Sequence, residues 1–201
     1  MPLLDHFHSP LHGPRRWEGF HHDWAVCLAQ QLNRDTLPPD YFAEPVIGIG
    51  PDLDTFEVQV YQELGGAELR GTIEVISPAN KDREGARRTF AAKCAGYLQH
   101  GIGVVIIDIV TARSANLHAE LFDVLEVKAR RAMWESPTGL YAIAYRAVTV
   151  RKRLRVEVWP EPLALGEKLP VMPLWLGLDL CVPLRLEESY LATCHSLRIS
   201  A

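Results

Sequence analysis

The segment Gly103-Val-Val-Ile-Ile-Asp108 constrains the fold of this chain more than any other. A β-strand turns successive side chains to opposite faces, so a segment that is apolar at every position must be covered on both sides. That requirement predicts a central strand over Gly103 to Val110, in a sheet sandwiched between two other layers. The longest uninterrupted apolar runs, Trp24 to Ala29 and Leu140 to Tyr145, fall far short of the roughly 18 residues that cross a bilayer. Met1 leads into Pro2 and Asp5 rather than into a basic and then apolar leader, so a cytoplasmic protein is expected. With 201 residues of which 48% are apolar, the chain can fill one sizeable core, and one domain is the expectation.

Around that strand the pattern alternates between the periods of helix and strand. Pro2, Pro10, Gly13 and Pro14 oppose regular structure, so residues 1–16 read as an N-terminal arm. Trp17, Phe20, Trp24, Leu28 and Leu32 recur at spacings of three and four, which predicts a helix over Trp17 to Asn33. Tyr41 to Gly50, Thr55 to Gln62 and Leu69 to Ser77 read as three strands, with Gly65-Gly66 as the turn between the last two. Pro78 closes the third strand, and Arg83 to His100 then suits a helix stopped by Gly101. Beyond the central strand, a helix over Asn116 to Arg131 and a hairpin from Leu140 to Val150 and Leu154 to Trp159 are expected, with Arg151-Lys152-Arg153 at its turn. Pro160, Pro162, Pro170, Pro173 and Pro183 predict an extended crossing segment, and Leu186 to Leu197 a short terminal helix. Residues 17–201 thus read as one α/β domain in the order α, three strands, α, β, α, then β.

Several function classes are disfavoured by composition. A net charge of -4 and a pI near 6.1 lack the overall basic footprint of a dedicated nucleic-acid binder, so contact with a polyanion must be local. Cys27, Cys94, Cys181 and Cys194 are scattered, without a CxxC pair and with apolar or small neighbours, which predicts reduced, buried thiols. His6, His8, His12, His21 and His22 look like a metal tract, yet no Cys or carboxylate spacing there fixes a coordination geometry. Glu74 is the informative residue: it stands between Ile73 and Val75 in a strand expected to be buried, where a carboxylate must be paired, protonated or bound to a metal.

The segments "MPLLDHF", "YFAE", "IEVISPANKDR", "FAAKCAGYLQ", "ANLHAEL" and "VPLRLEESY", which run almost end to end, resemble the bacterial family known as domain of unknown function 4058. More distantly, Glu74-Val-Ile-Ser-Pro78 followed by Lys93 and Tyr97 is similar to the Uma-type restriction-endonuclease-like proteins. That resemblance implies a three-layer PD-(D/E)XK nuclease-like fold, a core with a central mixed sheet, in which two acids hold a divalent metal and a lysine orients or activates the attacking water. By position, Asp52 of Pro51-Asp52 stands as the first acid, Glu74 as the second and Lys93 as a displaced lysine, because Ile76 occupies the usual lysine place. Glu44 could add a third carboxylate, Lys81 is a second candidate lysine, and Asp54 and Glu57 are replacements should Asp52 and Glu74 lie apart. Oxygen donors of this kind suit Mg²⁺.

Each of these residues has a plainer reading. Asp52 also suits the turn with Gly50 and Pro51, and Lys93 suits a solvated helix face. Asp108 sits where open α/β sheets place ligands but serves equally as a cap, and Asn116 and His118 could simply start a helix. Lys81, Arg83, Arg87 and Arg88 form a local cradle for phosphates, or one helix's solvated face. The expectations are therefore a Mg²⁺-dependent phosphodiester hydrolase, its rival a non-enzymatic domain of the same fold that binds a nucleic acid or protein partner, and third an oligomerisation module if Trp134, Trp159 and Trp175 are exposed together.

Overall fold

The computed structural model describes residues 2–13, 16–47, 56–126, 134–151 and 153–199. The amphipathic stripe forms α1 (Trp17–Asp35), after which β1 (Tyr41–Ile47), β2 (Phe56–Glu63) and β3 (Ala67–Val75) make an antiparallel meander. Ser77 caps the short helix α2 (Pro78–Asp82) in a reciprocal capping box with Asn80, with Pro78 in the first turn where its missing N–H is not needed. Arg83 is extended and separates α2 from α3 (Glu84–Gln99), which is the helix expected over Arg83 to His100; α2 is an additional short helix before it. Next come β4 (Gly103–Asp108), α4 (Leu117–Val124), the hairpin of β5 (Leu140–Val150) and β6 (Arg153–Leu163), β7 (Val171–Trp175), β8 (Cys181–Arg185) and α5 (Leu186–Ser196).

Six strands form one mixed sheet in the order β1-β2-β3-β4-β5-β6, with β3 and β4 its parallel pair. The strands expected to share a sheet do so, and every residue of β4 is buried. Ladder register divides the side chains. Glu57, Glu74, Ile106 and Ile143 point to the face covered by α3 and α4, while Val58, Ile73, Val105 and Ala144 point to the face covered by α1, α5 and β7. The three-layer α/β architecture therefore follows from the two-sided burial that the apolar run demands. Among the described residues, no helix is long and apolar enough to cross a membrane.

Three expectations are corrected. The proline-rich crossing segment contains a two-stranded sheet of β7 and β8, in which Pro173 lies opposite Pro183. Two residues without an N–H can share a ladder position where no backbone bond is required. The helix after β4 ends at Val124, and Glu126 adopts a left-handed conformation at φ 54°; residues 127–133 lie outside the described residues. All four cysteines are free, but Cys181 is exposed because the alternation of β8 turns Val182 and Leu184 inward instead, and Cys27 is only half-buried.

The N-terminal arm is irregular yet docked. Leu3 is buried and exchanges main-chain hydrogen bonds with the 166–167 turn, and His6 packs on Phe20 with its Nε2 2.8 Å from the Tyr190 hydroxyl. Burial pushes the His6 pKa down to about 4, so the ring is neutral at physiological pH.

The seating of β7 across the sheet depends on glycine. Gly71 and Gly103 are ladder partners, and a Cβ at Gly103 would overlap the Trp175 carbonyl oxygen. Gly103→Ala should therefore lower stability by at least about 3 kcal/mol, as overpacking a rigid backbone contact does. Gly96→Ala, on α3 with open space around it, should raise stability by about 0.5 to 1 kcal/mol. Urea denaturation of both variants checks this, and equal effects would contradict the role given to Gly103.

Candidate functional site

Folding β2 against β3 around Gly65-Gly66 brings Glu57 directly opposite Glu74 on the sheet face that α3 covers. Cross-strand neighbours have Cβ atoms about 4.5 to 5.5 Å apart, so two carboxylates are forced together in a site where each residue is almost fully buried, at 7% and 2% exposure. From α3, Lys93 reaches down between them. Its Nζ donates to Glu74 Oε2 at 2.8 Å and to Glu57 Oε2 at 3.0 Å. One helical turn later, the Tyr97 hydroxyl donates to Glu57 Oε1 at 3.1 Å. Gln59, on the same face of β2, donates from Nε2 to Glu57 Oε1 and accepts from the Tyr61 hydroxyl, so a chain of hydrogen bonds runs from Tyr61 into the acid pair. The ring of Tyr61 stacks on Phe42 of β1.

Two acids and one ammonium leave a deficit of one positive charge, and the site makes it up with a proton. Burial pushes the Glu74 carboxyl up to about 8, with Lys93 lowering it and Glu57 raising it further. Burial alone would raise Glu57 too, but the hydrogen bond from protonated Glu74 and the charge of Lys93 hold it below its ordinary value. Lys93 is the mirror case: burial alone would lower its pKa, and the two carboxylates hold it well above the usual lysine range. At neutral pH the cluster is thus ionised Glu57, protonated Glu74 and an ammonium. Glu74 Oε1 also lies 2.8 Å from the Lys93 ammonium, out of line for a hydrogen bond, and Thr72 Oγ1 on the same face of β3 is buried without a partner. Lys93 is the group open to solvent, its side chain 31% exposed, and Gln59, Tyr61 and Tyr97 are half-buried around it.

The other candidates lie as follows. Asp52, with Asp54, lies outside the described residues. Glu44 is exposed on β1 opposite Gln59, close enough to raise the pKa of Tyr61 by its charge. Ile76, at the place of the expected lysine, is fully buried. Lys81 does not join Lys93: it is buried 2.8 Å from Asp108 Oδ2 at the end of β4, while Asp108 Oδ1 accepts from the Val110 amide. Asp108 is therefore the counter-ion of a buried lysine, and burial still raises its pKa despite that partner. Within the proposed basic cradle, Arg87 bonds Glu120 and Arg88 lies 3.8 Å from Glu84.

The remaining polar residues have structural roles. Asn116 caps α4 by accepting from the Ala119 amide, and buried His118 pairs its Nδ1 with the Tyr145 hydroxyl. His21 bonds the Val75 carbonyl through Nε2, and burial holds its pKa down at about 4. No group of three or more His, Cys, Asp or Glu side chains suited to a metal occurs among the described residues. Trp134 packs near His118 and Tyr141, away from the Trp159–Trp175 pair over which Arg146 lies. Three tryptophans exposed together are thus not present. In the sequence Glu57 ranks only as a replacement and Gln59 is not singled out: the turn that pairs Glu63 with Ala67 would by itself set Glu57 opposite Ile73, and the register shift between Val60 and Tyr61 brings it opposite Glu74.

Comparison with protein-family models, with curated proteins and with solved structures gave no match. Chemically, the cluster can hold one hard cation in place of a proton, and it presents an ammonium beside it.

Two measurements follow from this electrostatic arrangement. Glu74 binds its proton more tightly in the folded chain than in the unfolded one, where its pKa is near 4.5, so stability should fall as pH rises from about 4.5 to about 8 and level off above. Glu74→Gln keeps the neutral form and should remove this decline, leaving the variant no less stable than the wild type at pH 8 in urea titrations; identical slopes would refute the shared proton. Lys81→Met should cost about 3 to 5 kcal/mol by stranding Asp108, and Lys81→Met with Asp108→Leu should recover most of that loss.

Proposed function

We propose that this chain is a magnesium-dependent phosphodiester hydrolase acting on a nucleic acid, with Glu57 and Glu74 as the cation's ligands and Lys93 as the group that orients the attacking water. One observation carries the reading: two buried carboxylates on adjacent strands are tied to a lysine from the next long helix. They stand within the α-β-β-β-α-β order of restriction-endonuclease-like domains. The reading is supported by the resemblance of six segments along the chain to the bacterial family of domain of unknown function 4058, and by the more distant likeness of Glu74-Val-Ile-Ser-Pro78, Lys93 and Tyr97 to the Uma-type proteins.

The donor set fits the ion. Both acids offer oxygen, which Mg²⁺ prefers, and the two carboxylates share a single ammonium, Lys93. When bound, Mg²⁺ would polarise the phosphoryl oxygen and acidify a water. The chain's own residues do the rest. Lys93 remains an ammonium, so it cannot accept the water's proton; it donates hydrogen bonds and offsets the charge that builds on the phosphate. Tyr97 and Gln59 fix the orientation of Glu57. On this reading the exposed Glu44, across the ladder from Gln59, assists the cation's shell, Asp52 keeps the ligand role that its sequence position implies, and Arg83, Arg87 and Arg88 of the local basic patch serve the substrate's backbone.

The second reading is a non-enzymatic domain that binds a nucleic acid or protein partner, favoured by one observation: fully buried Ile76 stands where the fold's catalytic lysine is expected. DNA and RNA cleavage assays with millimolar Mg²⁺ separate the two. The hydrolase reading expects Glu57→Gln, Glu74→Gln and Lys93→Met each to lower cleavage by about 10²-fold or more. It also expects Mg²⁺ to raise thermal stability, with an affinity that climbs about tenfold per pH unit below pH 8 because the ion displaces the proton of Glu74. Nucleic-acid binding that is indifferent to Mg²⁺, without cleavage, would establish the second reading instead.

A further inference from the structure

A polar hollow of about 460 Å³, which the carboxylate cluster does not use, lies beside the C-terminal ends of β3 and β4. Three cations border it, and they arrive from three separate segments: Lys81 from α2, Arg87 from the first turn of α3 and Arg113 from the loop between β4 and α4. The geometry follows from the parallel pair. Each of its strands leads into helices that begin at the same sheet edge, so first-turn residues of α3 and α4 face one opening; ligands of open α/β sheets bind at such edges. The positive ends of the two helix dipoles add to the cations there.

Each cation has a counter-ion, but the three pairs are unequal. Lys81 is committed to Asp108 and nearly without exposure. Arg87 engages Glu120 through Nε at 2.9 Å, while a guanidinium has five N–H donors to offer. Arg113 donates from Nη1 to the Ala112 carbonyl at 2.9 Å, and its ion pair is loose: its Nε lies 3.4 Å from Asp82 Oδ1, with both side chains more than half exposed. An exposed pair of that kind contributes about 0 to 1 kcal/mol, so an anion with better geometry displaces Asp82. Two guanidinium forks match a ligand with several oxygens in tetrahedral array better than they match one carboxylate, and Ser114 at the rim adds a neutral donor.

We infer that this hollow binds a phosphate group, held between Arg87 and Arg113, with the buried Lys81–Asp108 pair closing its floor. The inference goes beyond the hydrolase reading and needs neither its carboxylates nor a metal. Of the basic residues that the sequence gathers into one cradle, it selects Arg87, leaves out Lys81, Arg83 and Arg88, and adds Arg113. Asp82 and Glu120 border the same hollow, so binding is of modest strength and weakens with salt.

The test is a titration of the ¹⁵N-labelled full chain, first with inorganic phosphate and then with a short single-stranded oligonucleotide, following amide shifts. Saturable shifts at Ser114, Ala115 and Asn116 are expected with phosphate. Arg113→Gln should weaken the binding about tenfold, the loss expected for one charge-assisted contact. Asp82→Asn, which removes the competing acid, should tighten it severalfold. The same amides responding to the oligonucleotide at far lower concentration than to phosphate would assign the site to a nucleic-acid backbone, and a response to phosphate alone to a small phosphorylated ligand. Absence of saturable shifts there up to tens of millimolar phosphate, or binding unchanged in both variants, overturns the inference. Neither variant touches Glu57, Glu74 or Lys93, so failure here leaves the hydrolase reading standing. Phosphate bound in the hollow of a protein that cleaves nothing sinks the hydrolase reading alone.

Discussion

The buried charges of the central sheet answer to the removal of water from both faces of β3 and β4. A carboxylate on such a strand cannot stay ionised without a partner at hydrogen-bonding distance. The chain meets that demand twice, each time with a lysine from a helix on the same side of the sheet: Lys93 of α3 for Glu74 and Glu57, and Lys81 of α2 for Asp108. The two solutions differ in their arithmetic. Asp108 and Lys81 are one acid and one base, a closed pair that also draws on the Val110 amide. The cluster at Lys93 has two acids for one base, and the surplus carboxylate is what gives it chemistry.

That surplus explains why the cluster is a candidate site and the Lys81 pair is not. A balanced buried pair has nothing left to offer a ligand, whereas two carboxylates with one ammonium retain an affinity for one more positive charge. In the protein alone, a proton on Glu74 satisfies it. Lys93 is partly open to solvent, and the side chains beside it, Gln59, Tyr61 and Tyr97, are polar and half-buried. The acids are therefore sheltered on the sheet, while the approach to them is lined by donors.

The opposite layer is built by close approach instead of by charge. Gly71 and Gly103 let the backbone of β7 come down on the sheet, and α1, α5 and the N-terminal arm then pack around Trp24, Phe20 and Tyr190. His21 shows how the two sides communicate: from α1 its ring bonds the carbonyl of Val75, the residue after Glu74, so the strand that carries the acid is held from the far face as well. The acid pair is fixed by backbone on one side and by side chains on the other, which is the rigidity a precisely spaced pair of oxygen ligands requires.

The order of elements was legible in the sequence because it rests on local periodicity. The stripe of Trp17, Phe20, Trp24, Leu28 and Leu32, the alternation in β2 and β3, and the unbroken run of β4 each encode one element, and the all-apolar run encodes the layers as well. Glu74 and Lys93 were legible too, one because a carboxylate between Ile73 and Val75 has to be answered, the other through resemblance. What the sequence left open depends on register. Lys81 stood as a second candidate beside Lys93 until the extended Arg83 set α2 and α3 apart and sent one lysine to Asp108 and the other to Glu74. Glu57 stood as a reserve behind Asp52 until the ladder placed it opposite Glu74. The prolines of β7 and β8 read as an extended crossing because local propensity carries no information on which strand will lie alongside. By itself the sequence determined which residues had to be buried and which buried charges therefore needed partners; only the tertiary structure decided who the partners are, because that choice is made by contacts between segments far apart in the chain.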